Sequence, residues 1–528
     1  MRTPVDAAAQ RKDRAQPDLA AGAGGIAGAV ITTYAARFAS MIAYVVLLPV
    51  VLAAFGAEAY GLYMLTVAVG ALFQQDLGVG GATTRFIGVA APSNDVARMR
   101  RVAAASNVFF LAAAVILSCA SGLVFALTIP RTQFSPELTG TAWILALLGV
   151  ANVFILLSFA ANRQILTGIG RLNDVNYLLI GLAVFRIALT VLVCWAGIGI
   201  VAVAAVDVLG ILAFGIATYV LRRRRAPQLT ARPRDFRWSV FRELFAMSAQ
   251  LMVLGLAGVV IMQVGGILTA LMLPIAYTAL YAAGQRIYLL VKEVTNSLAT
   301  AILPTASMRE GGAAGASIGQ MYLRGTSYAN MLMTVVLVPV VVFMPEIMTV
   351  WLGPSGVGAA VVAQILVLSM FANNNHLLAV PILTAQGSVR GYAMLHTIWA
   401  VTGTALAVAL GAISGLTGIA WGLTLPILLL EPFYIAIALR RLDLTVKDFA
   451  IRCLLLPFGT LAPLATALVM VSLLDPPPAL IPVIGAVWAI AAITLYYFIA
   501  LDAATRSSLR SALTRRLRGG RRTVEASL

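Results

Sequence analysis

The chain has 528 residues, of which 61% are hydrophobic and 11% charged, and its mean hydropathy is +0.95. So little polar side chain cannot coat a soluble globule, and lipid is expected to be the main solvent. A net charge of +17 invites a nucleic-acid reading, but the Arg222–Arg225 run and the tail arginines from Arg506 to Arg522 lack interleaved aromatics or a binding module, so nucleic acid is set aside.

In hydrocarbon the backbone must satisfy its own polar groups, and apolar runs of about 20 residues without strand-like alternation favour helices over a barrel. The first 25 residues hold Arg, Lys and Asp with no apolar core, and the first apolar run is too long for a cleaved signal, so it reads as a retained anchor. Hydropathy windows place spans at 29–52, 60–78, 102–128, 141–162, 176–195, 199–219 and 246–272. A second set follows at 275–303, 327–350, 359–383, 393–413, 417–439, 453–474 and 480–501, for an expected total of fourteen.

Most of the 37 basic residues lie in the N-terminal tail, in alternate connections and in the C-terminal tail. The opposite connections carry Arg131 beside Glu58, Glu137, Glu346 and Asp475, so the positive-inside rule puts both termini in the cytoplasm. The basic clusters read as anchors on anionic headgroups. Cys119, Cys194 and Cys453 fall in separate spans with no CxxC, so neither a disulfide framework nor a metal site is expected.

The stretch "ILTGIGRLNDVNYLL" from Ile165 is echoed by "ILTAQGSVRGYAML" from Ile382, an offset of 217 residues, and "GIGIVAVA" from Gly197 by "LTGIAWG" from Leu416. An even number of spans per unit implies two lobes of the same topology related by an axis along the membrane normal. The expected organisation is a cytoplasmic tail (1–28), an N-lobe of six helices (29–221), a basic linker (222–245), a C-lobe of six helices (246–440), two further helices (441–502) and a basic tail (503–528). Two lobes about a cleft would permit rocking between inward-open and outward-open states.

Ionisable groups inside spans are costly and point to cavities or partners. In the first span Arg37 shares a helical stripe with Thr33, Ser40, Met41 and Tyr44. In the eighth, Tyr281, Gln285, Arg286, Lys292, Glu293, Asn296 and Ser297 gather on one face of about 160° at ~100° per residue, opposite Leu280, Ile287, Leu290, Val294 and Leu298. Arg286 and Glu293 would alternatively pair with each other, and Lys292 would snorkel to the interface. Arg186, flanked by Phe185 and Ile187, reads as a packing residue; Asp207 and Glu431 stay ambiguous. A cationic lined cavity suits an anion, and arginine's planar fork fits phosphate oxygens, so a phosphate or pyrophosphate substrate is expected at Arg37 and Arg286. The run "QQDLGVGGATTRFIG", with Asp76 and Arg85, is too rich in glycine for a regular helix, and a break or tight packing site is expected there.

From Gly56, "GAEAYGLYMLTVAVGALFQQDLGVGGATTRFIG" resembles the second-helix signature of the polysaccharide-transporter branch of the multidrug/oligosaccharidyl-lipid/polysaccharide (MOP) exporter superfamily. The resemblance continues through "LTGIGRLNDVNYLL" from Leu166, "YAAGQRIYLLVKEVTNSLATAILPTAS" from Tyr281 and "LTAQGSVRGYAML" from Leu383, covering roughly 29–440. It implies a flippase for a polyprenyl-pyrophosphate-linked oligosaccharide of the O-antigen, exopolysaccharide or capsule kind, working by alternating access in the bacterial cytoplasmic membrane. It also implies a cationic cavity formed by the first, second, seventh and eighth helices, with Arg37 in "YAARFAS" matching the cavity arginine of relatives.

No cofactor is expected, and coupling to a proton or sodium gradient would run through Glu293 or Asp207, with Asp76 and Arg85 as further charged groups. A polysaccharide polymerase and a chain-length regulator are the expected protein partners. Two other readings stand beside this one. A membrane-embedded polymerase, ligase or glycosyltransferase would need an acid, base or metal group on a substrate-facing loop, whereas the outer acidic residues stand singly and His376 and His396 look solitary. A multidrug/cation antiporter of the same superfamily would want an acidic residue in the first span, which has none between Val30 and Leu52.

Overall fold

A computed structural model describes residues 23–230, 232–310, 318–385, 390–501 and 506–507. Among these residues the named elements are all helical, and eleven stretches are long and apolar enough to cross a membrane. In chain order the helices are α1 (Ala23–Phe73), α2 (Val79–Ala90), α3 (Val96–Thr128), α4 (Thr139–Gly168), α5 (Leu172–Trp195), α6 (Ile200–Arg225), α7 (Trp238–Met272) and α8 (Ala276–Glu310). They continue as α9 (Ile318–Val342), α10 (Met344–Leu352), α11 (Val357–Leu377), α12 (Ala379–Ala385), α13 (Arg390–Arg441), α14 (Val446–Ser472) and α15 (Pro478–Ala500).

Two of the long helices each carry a pair of the expected spans. α1 is bent at Gly56 (φ +78°, ψ 171°) and α13 at Gly415 (φ +59°, ψ −132°), a backbone conformation that a Cβ disfavours. The expected span at 60–78 stops at Phe73, and after the break at 74–78 the glycine-rich run forms a helix of its own, α2. The expected 327–350 span is divided between α9 and α10, because Pro345 in the first turn of α10 suits a helix start and not a helix interior.

By packing, the chain divides into two units: unit 1 runs to Ala282 and includes His396–Ile419, and unit 2 comprises Ala283–Leu395 and continues from Ala420. In unit 1, α1 packs along α5, and α4 packs against both α3 and α6. Small residues permit close approach: a Cβ on Gly149 would lie 2.7 Å from Thr66, one on Gly215 2.7 Å from the Phe159 ring, and one on Gly61 would clash with the Ile275 carbonyl oxygen. Asp95 caps α3 by accepting the Arg98 N–H at 2.9 Å. The outer face of α3 presents Leu111, Val115 and Ile116, each more than half exposed, as a lipid-facing surface does. Arg222, expected at the headgroups, is instead buried at 6% exposure with its guanidinium 5.7 Å from the Tyr219 ring centroid.

Unit 2 is organised around helices interrupted by proline. Pro339 in α9 has no N–H for the carbonyl of Val335, and the Trp488 indole N–H of α15 donates to that carbonyl at 2.8 Å. α14 contains a π-helical stretch, Ala450–Gly459, with Pro457 inside it. Pro457 offers no N–H to the Arg452 carbonyl in the π register or to the Cys453 carbonyl in the α register. Asn330 Nδ2 donates to the Cys453 carbonyl at 2.7 Å and Ser327 Oγ to the Arg452 carbonyl at 2.8 Å. Both donors belong to α9, and Asn330 also donates to Asn375 Oδ1 of α11 at 2.7 Å.

Candidate functional site

Unit 1 encloses a cavity of about 180 Å³ whose polar lining comes from four helices and a break between two of them. α1 contributes Tyr44 before its bend and Tyr63 and Thr66 after it, α4 contributes Asn152, α5 Arg186 and α6 Asp207, and the break that follows α1 adds Gln74. Residues three, four or seven apart share a helical face, which is why Tyr63, Thr66 and Gly70 reach the same space. Gly149 on α4 admits Thr66.

The centre of the cavity is an ion pair, Arg186 Nε to Asp207 Oδ1 at 2.7 Å. Tyr63 donates its hydroxyl to Asp207 Oδ2. Arg186 Nη1 donates to the Tyr44 hydroxyl at 3.3 Å, and the guanidinium carbon lies 5.2 Å from the Tyr44 ring centroid. Gln74 Nε2 donates to Asn152 Oδ1 at 2.9 Å. Gln74 and Ile211 also line a second cavity of about 110 Å³, which carries Asp76 and Arg163. Together the groups offer two phenols, two amides and a neutralised charge pair, a set able to hydrogen-bond and stack on a hydroxyl-rich ligand.

Of the residues expected from sequence, Tyr44 and Asp207 are brought together through Arg186. Arg37 is exposed on α1; on its stripe, Thr33 accepts from Asn176 Nδ2 at 2.9 Å and Ser40 bonds the Ala36 carbonyl at 3.0 Å. Arg85 is exposed on α2. Asp76 is used locally, accepting the Gly78 N–H at 3.0 Å at the turn into α2. On α8, Tyr281 is buried, Gln285, Arg286, Lys292 and Glu293 are half-buried, and Lys292 Nζ lies 5.9 Å from the Tyr288 ring centroid. The Asn296 side chain lies outside the described residues. Tyr281 falls at the end of unit 1, whereas Gln285, Arg286, Lys292 and Glu293 belong to unit 2.

Sequence reasoning missed Tyr63 and set Arg186 aside. The available signal was two opposite charges, Arg186 and Asp207, in successive spans of one lobe, each too costly to bury alone. His376, solitary in the sequence, has an acidic partner in the structure. It lies 2.7 Å from Glu431 Oε2.

A family model described as polysaccharide biosynthesis protein matches residues 26–309. No curated protein matches the chain. Among solved structures, the lipid II flippase MurJ in an inward closed conformation superposes with a TM-score of 0.65 at 13% identity, covering 88% of this chain and 98% of its own. An inward-facing multidrug resistance MATE family transporter of the MOP superfamily gives 0.59 at 15% identity over 76% of this chain and 94% of its own. A MOP superfamily transporter from Pyrococcus furiosus, whose reverse binding-pocket polarity suggests a different function, gives 0.52 at 16% over 79% and 94%. At such identities the likeness is one of fold. With more than half of its residues matched by the family model, and a multi-pass helical architecture shared with MOP transporters, the chain belongs to the polysaccharide biosynthesis protein family.

Proposed function

We propose that the protein is a flippase that moves a polyprenyl-pyrophosphate-linked oligosaccharide across the bacterial cytoplasmic membrane by alternating access. The observation that carries this reading is the unit 1 cavity, where Tyr44, Tyr63, Gln74, Asn152 and the Arg186–Asp207 pair gather polar groups inside an apolar chain of a polysaccharide biosynthesis family. Rings and amides of this kind serve hydroxyl-rich ligands, and the fold likeness to a lipid II flippase supports a lipid-linked one.

In this mechanism arginine forks meet the pyrophosphate, with Arg37 on the exposed face of α1 as the first contact. The polyprenyl tail stays in the bilayer, so the protein shields only the headgroup and sugars. Binding and conformational change suffice for such a task, and no bond in the substrate is broken. The product would then serve a polysaccharide polymerase and its chain-length regulator.

The test is movement of a fluorescent undecaprenyl-pyrophosphate-linked oligosaccharide in proteoliposomes, read by an impermeant quencher. Wild-type protein is expected to move the probe, and Arg37→Ala and Arg286→Ala to slow it at matched levels of folded protein. Product formation from added sugar acceptors without movement would move the protein to the enzyme class. Full movement in both variants would remove the arginines from the substrate path.

A further inference from the structure

Unit 2 buries a second ionisable pair that the proposed substrate path leaves unused. His376, at the end of α11, places Nδ1 2.7 Å from Oε2 of Glu431 on α13, and both side chains are more than nine-tenths buried. The imidazole stacks on the Tyr434 ring at a centroid distance of 4.3 Å and meets the Tyr392 ring edge-on at 5.8 Å. Tyr392 in turn donates its hydroxyl to the Tyr434 carbonyl at 3.0 Å, which fixes this aromatic wall. The other carboxyl oxygen, Oε1, is buried without a hydrogen-bond partner among the described residues.

A carboxylate fully desolvated on one oxygen is costly unless its charge is cancelled. The pair has two charge states that differ by one proton. With Nδ1–H donating to a carboxylate and no proton on Nε2, it carries −1. With one proton more, whether on Oε2 or on the imidazole, it carries none. Among the described residues, Lys292 of α8, Tyr322 of α9, and Tyr392 and Tyr434 of α13 are titratable groups that face it.

The pair also sits at a bend-prone point. Glu431 immediately precedes Pro432, and Pro426 lies five residues earlier in the same helix. Each proline leaves α13 one backbone bond short, so the packing of α13 on α11 is the softer coordinate on which a change of charge would act. We propose that His376 and Glu431 form a site that takes up and releases one proton, and that its charge state biases the packing of α13 against α11. The coupling of that proton to substrate movement rests on the flippase reading; the proton site does not.

The experiment therefore has two arms, both on the full-length protein in lipid. In the first, infrared difference spectra across a pH titration follow the carbonyl stretch of a protonated buried carboxyl and, with 15N-histidine label, the imidazole modes. A titrating signal in wild type that disappears in Glu431→Gln and shifts in His376→Gln supports the site. Should the Glu431 variant fail to fold, the labelled histidine in wild type still decides. A wild-type spectrum without a titrating buried carboxyl or imidazole overturns the proposal.

In the second arm, proteoliposomes carrying the fluorescent lipid-linked oligosaccharide are compared with and without an imposed pH gradient. Glu431→Gln is expected to keep exchange at zero gradient within about twofold and to lose the gradient response. An unchanged gradient response would overturn coupling through this pair. A wild type that never moves the probe would refute the transport reading and leave the infrared arm to judge the proton site.

Discussion

Arg186 and Asp207 hold each other at 2.7 Å across α5 and α6, and Tyr63 and Tyr44 close the two ends of the pair. Neither charge is independent, since removing one strands the other in a low-dielectric setting. Arg186→Met is expected to lower stability by about 2–4 kcal/mol, the range for a broken buried pair reduced for its partial exposure. The double substitution Arg186→Met with Asp207→Leu should recover most of that loss. Thermal unfolding of the purified protein in one detergent checks both, and equal losses in single and double variants would contradict the pairing.

Tyr63→Phe deletes only the hydroxyl that donates to Asp207. The expected cost is about 1.5–3 kcal/mol, the value of a hydrogen bond to a charged group. In the flipping assay the rate should fall while Tyr44→Phe, which removes only a weak 3.3 Å acceptor for Arg186 Nη1, has the smaller effect. A reversed order would show that the phenol of Tyr44 touches the substrate directly.

Gly61→Ala places a methyl group where the Ile275 carbonyl oxygen already sits, and a backbone atom cannot rotate away as a side chain can. Overpacking of this kind costs about 1–3 kcal/mol. Gly81, with open space around its Cβ position, is the control and should accept alanine without loss. Yield of monodisperse protein on size exclusion separates the two.

Trp488→Phe keeps the aromatic volume but leaves the Val335 carbonyl without a donor. The expected loss is about 1–3 kcal/mol for an orphaned buried carbonyl. Pro339→Ala restores the helix's own N–H, so in that background the tryptophan substitution should cost less. A double-mutant cycle on melting temperatures measures the difference, and strict additivity would refute the shared-carbonyl account.

Helix class and placement were legible because apolar run length decides them almost alone. The bends at Gly56 and Gly415 fall between spans read separately, so the sequence marked both halves and missed their continuity. The break at 74–78 was legible from its glycines; the helical character of Val79–Ala90 was not, since tertiary packing of Val79, Thr83 and Ile87 overrides weak propensity. Tyr44 and Asp207 were visible as polar groups in spans. Tyr63 was not, because a tyrosine in a hydrophobic run looks like packing until its hydroxyl finds a carboxylate in a helix 144 residues away. His376 and Glu431 were hidden for the same reason, being 55 residues apart.

The proline-freed carbonyls of unit 2 bear on how the chain enters the bilayer. α9 is made long before α15, yet the donor for its Val335 carbonyl is Trp488, 153 residues later, and the Cys453 carbonyl of α14 draws on Asn330, 123 residues earlier. A helix inserted alone would carry its exposed carbonyl into hydrocarbon, where water cannot reach it. The Val335 carbonyl of α9 is therefore satisfied only once α15 has emerged, whereas the Cys453 carbonyl of α14 meets a donor that is already made.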